Sequence, residues 1–571
     1  FGLAWIGLGL SNGYYLLFFC VLASMWIGWF FSARQDRSRL MRLLAAWAIA
    51  ATLITPVIIG YHTALDAFRG ERTLTEIRSF SADVSAFAAT SPLVWAWRRL
   101  SVVHQAEQQL FPGIVSIVLF AAALVIIPRG DRVSEAARRA RIAIVIVATT
   151  VVTLAVVAAV GGPIRTRLLT IDSISKPGAI VIWLTVVAIA LGSRARRAFA
   201  TRSPLAFYVI ATVVMFVLAL GPEPTLNGTP IWYKPPYAWL IELPGFGVIR
   251  VAARFAMLGE LCLAVVAALA WAAMTRDLRP RYLTLATAGC VAVLLADSWV
   301  VGLPLPAVPP RLDALEAIAG GTPVLELPVG VLEDTAAMYR AMFHGAPLVN
   351  GYSGFTPAHY DILRAALDAG DPAVLDAFAS RRDLIVVVNE SPAKRWTEYF
   401  GHADAAERLT GDSAHAIFRL RASPWRAPAL GAPIPIVSID DVPSSGLQQL
   451  SDNNLLTRWD SGAPQHGHEV ITLDLGRPQR VGGVELSAGP YLGEVARRLT
   501  VQLSVDHDAW SSVAIASSFA RAVDSAIRDP KRIAMVFDFP ARAARYIRLR
   551  QTGVDSTYHW SIAELLVFAA E

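Results

Sequence analysis

The sequence predicts a multi-pass α-helical membrane bundle, then a small α/β domain, then a β-sandwich. Three observations predict it. Of the 571 residues 55% are hydrophobic, and the excess lies in the first 300. The Arg residues fall in short clusters between apolar spans, the pattern of loops held on the cytoplasmic side of a membrane. After residue 437 the pattern turns to short alternating strands separated by turns, which suits a jelly-roll sandwich.

The bundle is assigned to residues 1–302. Eight apolar stretches of about the length that spans a bilayer occupy 11–31, 43–61, 112–128, 142–161, 179–192, 204–220, 253–274 and 282–302. Every second connection is short and Arg-rich. Arg34, Arg37, Arg39 and Arg42 follow the first stretch, and Arg129, Arg132, Arg138, Arg139 and Arg141 the third. Arg194, Arg196, Arg197 and Arg202 follow the fifth, and Arg276, Arg279 and Arg281 the seventh. The opposite loops, 62–111, 162–178 and 221–252, and everything after Gly302 are therefore expected outside. The net charge of +6 reflects these clusters, and no basic stripe marks a soluble face, so nucleic acid is not an expected partner. Cys20, Cys262 and Cys290 all sit in apolar stretches and build no disulfide framework. The chain opens at Phe1, already apolar and without Met, and reads as a fragment that lacks its N-terminus.

The stretch 221–255 lies between two spans and holds the richest chemistry. Trp232, Tyr233, Tyr237 and Trp239 suit the headgroup level of a bilayer. Beyond Gly245 and Gly247 a helix is expected to carry Arg250 and Arg254 on one face, four residues apart. Two such guanidinium groups can hold a phosphate, and they can equally snorkel to anchor a helix end. Lys234, His62 and Glu107 are weaker donor-site or acceptor-site candidates, and His104 and Asp83 lie in the same external loop as the last two. Asn227-Gly228-Thr229 matches a glycosylation sequon.

Residues 303–425 form the expected extracytoplasmic α/β domain after the linker Pro304, Pro306, Pro309 and Pro310. Strands are expected at 324–329 and 384–388, and helices over 335–343, 358–369 and 372–380. The loop 348–357 between them gathers His344, Asn350, Tyr352 and Ser353 as candidate lid residues. A second linker, 423–436, precedes the sandwich at 437–571, with strands at 470–476, 481–489, 499–506, 532–539, 545–553 and 564–570.

The segments DNNLLTRWDSG (452–462), ITLDLG (471–476), VGGVELSAG (481–489), QLSVDHDAW (502–510), RYIRLRQTG (545–553) and WSIAELLVF (560–568) resemble, in order and spacing, the discoidin or F5/8 type C domain, a carbohydrate-binding module in bacteria. The resemblance implies an eight-stranded jelly roll and a structural calcium held by Asp452, Thr457 and Glu564; Asn453-Asn454 stands where many relatives have Gly. Tyr491, Arg497 and Trp510 are candidate surface contacts, while Trp459, Trp510 and Trp560 also suit the core.

The segments SADVSAF (81–87), PGFGVIRVAARF (244–255) and LVNGYSGFTPAHY (348–360) resemble the C-terminal portion of bacterial GT-C glycosyltransferases. This implies a multi-pass inner-membrane protein with extracytoplasmic soluble domains, a polyprenyl-phosphate sugar as donor and a glycan or polysaccharide as acceptor. The catalytic base of that superfamily would lie before Phe1 and is not assigned here; a divalent metal at the membrane site is left open. The alternative is a non-catalytic membrane-anchored carbohydrate-binding scaffold. A transporter is disfavoured by the scarcity of charges inside the spans, where Glu260 and Asp297 are nearly alone.

Overall fold

The computed structural model describes residues 1–31, 36–67, 74–100, 107–127, 139–140, 142–144, 146–151, 164–165, 170–171, 175–354, 356–379, 382–389, 394–411, 415–422, 429–440 and 448–571. Arg34, His104, Arg129, Arg132, Arg138 and Arg141, most of the expected fourth span and much of the second linker lie outside them. The chain divides into two compact units, Phe1–His62 with Glu71–Leu305, and Thr63–Gly70 with Pro306–Glu571.

The first unit is helical. Among the described residues three helices are long and apolar enough to cross a membrane: Gly13–Phe30, Arg37–Thr63 and Ala252–Met274. Ser175–Ala190 and Ser193–Ala200 make a fourth if taken together, bent by 61° where Gly192 leaves helical geometry. The expected third and sixth spans are shorter helices, Ile114–Ile126 and Pro204–Ala219. Pro280–Asp297 has 18 residues, but Arg281, Thr284 and Asp297 dilute its apolar run. Phe18, Met215, Tyr237 and Phe255 form the centre of the unit, with the Phe18 and Phe255 rings 4.0 Å apart. Gly259 makes the fit between helices Pro204–Ala219 and Phe255–Met274 possible, since a Cβ there would stand 2.4 Å from the Phe216 ring.

The second unit begins with a four-stranded sheet of β1 (Val324–Leu327), β2 (Leu384–Asn389), β3 (Ala406–Gly411) and β4 (His415–Leu420). The order is β1-β2-β4-β3, with β1 and β2 parallel and the rest antiparallel. All four β1 residues and the first five of β2 are buried; the run LIVVV of β2 is apolar throughout, whereas β1 interrupts its apolar residues with the buried Glu326. Helices Val331–His344, Ala358–Asp368 and Val374–Ala379 match the expected segments closely.

The sandwich follows, with β5 (Leu430–Ile434), β6 (Ser438–Asp440), β7 (Trp459–Pro464), β8 (Val470–Ser487), β9 (Arg498–Ser504), β10 (Ser511–Ser517), β11 (Ala534–Gln551), β12 (His559–Ile562) and β13 (Glu564–Ala570). A seven-stranded sheet runs β10-β9-β11-β8-β13-β5, with β6 also on β8; β7 pairs with β12. Two pairs of expected strands are fused into β8 and β11, because the irregularity at Asp474/Gln479 bends the ladder without ending it. Helix Ser518–Arg528 was not expected. Its Phe519, Ala522, Val523 and Ala526 face the same core as Leu363, Leu367, Val374 and Leu375 of the α/β part. The α/β part and the sandwich thus share one hydrophobic interior.

Candidate functional site

In the helical unit, loops that the Arg pattern assigns to the outer side contact one another. Asp83 accepts hydrogen bonds from the Ser85 N–H and hydroxyl, from the Thr225 hydroxyl, and from the N–H groups of Asn227 and Gly228 at 2.6–3.0 Å. Asn227 and Gly228 both have positive φ and close a tight hairpin between Thr225–Leu226 and Thr229–Pro230. Burial works to raise the Asp83 pKa, but the hydrogen bonds from Gly228, Ser85 and Thr225 outweigh it and hold it at about 2. The Arg78–Glu223 ion pair, 2.9 Å, joins the same two loops. Gln108 bridges the Asp83 N–H and the Ser81 carbonyl, the Tyr233 N–H donates to the Ser175 carbonyl, and the N–H groups of Trp95 and Val301 donate to the carbonyls of Trp299 and Leu93. On the other side, Arg202 donates to the Phe30 carbonyl, linking the ends of two Arg-bearing loops.

Arg250 and Arg254 do not share a helix face. Gly245 adopts φ +87°, and two short 3-10 turns, Phe246–Val248 and Ala252–Arg254, occupy the stretch before the helix starts at Phe255. Arg250 lies between the turns in non-helical backbone. Its guanidinium covers the Phe80 ring at 4.7 Å, and its buried Nε has no hydrogen-bond partner among the described residues. Arg254 reaches the Glu107 carboxylate at 2.7 Å and lies 5.8 Å from the Tyr14 ring centre. Two expected donor-site residues, Glu107 and Arg254, therefore do meet. Lys234 is exposed, 5.8 Å above the Tyr233 ring, and His62 is exposed near the end of its helix.

The four aromatic side chains expected at headgroup level separate. Tyr233 and Trp239 are exposed, but Tyr237 and Trp232 are buried in the unit, and the Tyr237 hydroxyl and Trp232 Nε1 also have no partner among the described residues. Burial pushes the Tyr237 pKa up. A buried donor without an acceptor calls for an explanation, and three of them fall in this one stretch. Composition hinted at the aromatics, but no sequence signal separated Asp83 from the other loop carboxylates.

In the α/β part the candidate lid residues divide. Asn350 is buried, and its amide is used up: it accepts from the Glu326 N–H at 2.7 Å and donates to the Glu326 carbonyl and Asp334 at 2.9 Å. Tyr360 donates to the same Asp334 oxygen, and the buried Glu326 is answered by Arg340. His344 accepts from the Ala346 N–H through Nδ1, and burial lowers its pKa. Tyr352 and Ser353 are exposed. Asn350 thus belongs to a structural network, whereas Tyr352 and Ser353 remain on the surface.

In the sandwich, Asp452, Thr457 and Glu564 converge. Asp452 accepts from the Thr457 hydroxyl at 2.7 Å and the Asn454 N–H at 2.9 Å, and the same N–H reaches Glu564 at 2.9 Å. The Thr457 hydroxyl bond holds the Asp452 pKa down; burial and the neighbouring Asp452 charge raise that of Glu564. Two carboxylates and a hydroxyl are an all-oxygen set of the kind calcium takes. Among the described residues no three His, Cys, Asp or Glu side chains group around a possible metal, so carbonyl oxygens would have to complete it. Asn453 takes φ +56°, a left-handed conformation that Gly adopts most readily.

Arg497, expected at the surface, is buried. It pairs with Asp555 at 2.6 Å, donates to the Val495 and Gly493 carbonyls, and lies over Phe519. Trp560 is buried against Trp459. Tyr491 is partly exposed beneath Arg458, and Trp510 beneath Arg548.

These strands and loops define the class of the C-terminal part: residues 440–565 match the F5/8 type C domain family, and this part of the chain is such a domain. No curated protein matches the chain. Among solved structures, the CBM32 of AlyQ in complex with 4,5-unsaturated mannuronic acid is 26% identical, with 24% of this chain and 99% of that one covered and a TM-score of 0.19. A chitosan-binding module from Paenibacillus sp. IK-5 is 24% identical over 25% and 96%, TM-score 0.17. A CBM32 from Clostridium perfringens in complex with GalNAc-β-1,3-galactose is 16% identical over 24% and 100%, TM-score 0.20. The family match alone carries the assignment.

Proposed function

We propose that this chain is a membrane-embedded, glycosyltransferase-like protein that transfers a sugar from a polyprenyl-phosphate donor to an extracytoplasmic glycan and holds that glycan through its F5/8 type C domain. The observation that carries this reading is the meeting of loops 74–100, 107–113 and 221–254, with Arg250, Trp232 and Tyr237 each bearing a buried donor that has no acceptor among the described residues. Donors of this kind suit the departing phosphate of a lipid-linked sugar. The Arg-rich loops support an inner-membrane location with the soluble parts outside. Asp452, Thr457 and Glu564 would hold a structural calcium that fixes the loop 452–457 of the sugar-binding domain. Binding the acceptor on the same chain raises its effective concentration at the donor.

The second reading is a non-catalytic glycan-binding scaffold, and one observation favours it: Glu107 already neutralises Arg254. The full-length gene product, assayed with polyprenyl-phosphate sugars, separates the two. Transfer that falls at least tenfold in Arg250→Ala supports the first reading. Glycan binding without transfer of any such sugar supports the scaffold.

A further inference from the structure

On the outer face of the sandwich sheet, Arg548 and Arg550 sit two residues apart on β11, while Ile547 and Leu549 point into the core. Val470 stands opposite Arg550 in register and Gln502 opposite Arg548. With the exposed His468 at the rim, Val470, Arg548 and Arg550 line a surface cavity of about 620 Å³. Neither arginine has a carboxylate partner among the described residues. Three nearby acids are already engaged. Asp474 is paired with Arg545 at 2.9 Å, and Glu469 accepts from the N–H groups of His466, Gly467 and His468. Asp506 accepts from Ser504, Asp508 and Ala509. The Arg548 guanidinium lies 3.7 Å from the centre of the Trp510 ring, and its buried Nε has no partner among the described residues. Trp510 is itself pinned by its Nε1 bond to the His507 carbonyl at 3.0 Å. A guanidinium held flat on an indole has lost its freedom in advance and keeps its fork for a planar anion.

We propose that this face is a carbohydrate subsite, separate from the loop that holds Asp452 and Thr457, and that it takes the carboxylate of a uronic-acid-bearing polysaccharide. The inference rests on the glycan-binding reading given above and adds its charge and its place. A carboxylate matches the paired, planar donors of Arg548 and Arg550. Gln502 and His468 supply further hydrogen-bonding groups, and Val470 an apolar floor, that a sugar ring uses and that a bare phosphate does not need.

The test uses the full chain in neutral detergent, titrated with oligogalacturonate, with its methyl ester and with an array of neutral glycans. The free acid should bind at least about tenfold more tightly than the ester, and more weakly as salt rises. Arg548→Gln with Arg550→Gln should lower affinity for the acid by about tenfold or more and leave neutral glycans unaffected. Should the double variant misfold, the exposed Arg550→Gln alone should still weaken acid binding severalfold. Equal affinity for acid and ester, or an unchanged affinity in a folded variant, overturns the proposal. So does loss of binding only to micelles doped with phosphatidylglycerol. A chain that binds neutral glycans but no uronate overturns this inference alone, whereas one that binds no glycan overturns the broader reading with it.

Discussion

The two units spend their apolar side chains in opposite directions. In the helical unit many face outward: only 6% of the apolar window of Gly13–Phe30 and 11% of that of Arg37–Thr63 is buried, and Pro280–Asp297 buries no residue at all, with Ala252–Met274, 44% buried, at the centre. In the C-terminal unit Leu, Ile, Val and Phe from β1, β2, β8, β11 and helix Ser518–Arg528 are almost all enclosed. Helices that are apolar around their whole circumference belong in lipid, whereas strands that alternate belong in water with one face covered. The polar groups differ in the same sense. The helical unit gathers its polar network into the connecting loops around Asp83 and Glu107, whereas the C-terminal unit buries Glu326, Arg340, Asp334 and Asn350 within its core.

The largest effect should come from breaking the buried pair. Arg340→Met leaves Glu326 charged and uncompensated and should cost about 3–5 kcal/mol. Hydrogen exchange should then accelerate across β1 and β2 and stay unchanged in helix Phe255–Met274; equal acceleration in both would erase the contrast. Next, Asp83→Ala removes the acceptor that ties hairpin 225–230 to loop 81–88. It should cost about 2–3 kcal/mol, read as faster exchange at Asn227 and Gly228 with the C-terminal unit unaffected.

The third effect concerns pH and has opposite signs in the two units. Asp83, with its pKa held at about 2, stabilises the folded loops above the ordinary carboxylate range, and this stability is lost as pH falls through about 2. Asp361 has its pKa raised to about 6 by burial, partly opposed by Arg364. Its protonated form is favoured in the folded unit, so its contribution is full at low pH and is lost as pH rises toward and through about 6. Asp361→Asn should therefore flatten that loss, about 1–2 kcal/mol between pH 4 and 7. A pH profile of C-terminal unfolding that is the same in wild type and variant would contradict it. The smallest effect belongs to Gly259→Ala. This should displace the Phe216 ring and cost about 1 kcal/mol, less if the helices can shift, measured as thermal stability in detergent.

The sequence made the long apolar helices, β1, β2 and most sandwich strands legible because their periodicity is set by the surroundings that cover them. Arg250 was misplaced because helical spacing cannot see that Gly245 turns the chain into two short 3-10 segments. Helix Ser518–Arg528 is legible in principle, since Phe519, Ala522, Val523 and Ala526 follow helical spacing, but its place between strands masks that spacing. The Arg497 side chain looked exposed by type; it is buried because Asp555 and two carbonyls answer its charge. Of the candidate site, Glu107 and Arg254 could be named singly from the sequence and Asp452, Thr457 and Glu564 from the resemblance to the F5/8 type C domain, whereas the Glu107–Arg254 contact and the Asp83 hub depend on long-range contacts that no local pattern encodes.

The account turns on sidedness, and cysteine labelling reads it directly. Thr557→Cys in the exposed sandwich loop and Ala200→Cys at the end of the Arg-rich helix Ser193–Ala200 can each be probed with a membrane-impermeant maleimide in intact bacterial spheroplasts. The account predicts labelling at 557 before permeabilisation and at 200 only after it. Labelling at 200 in sealed spheroplasts, with 557 protected, would contradict it.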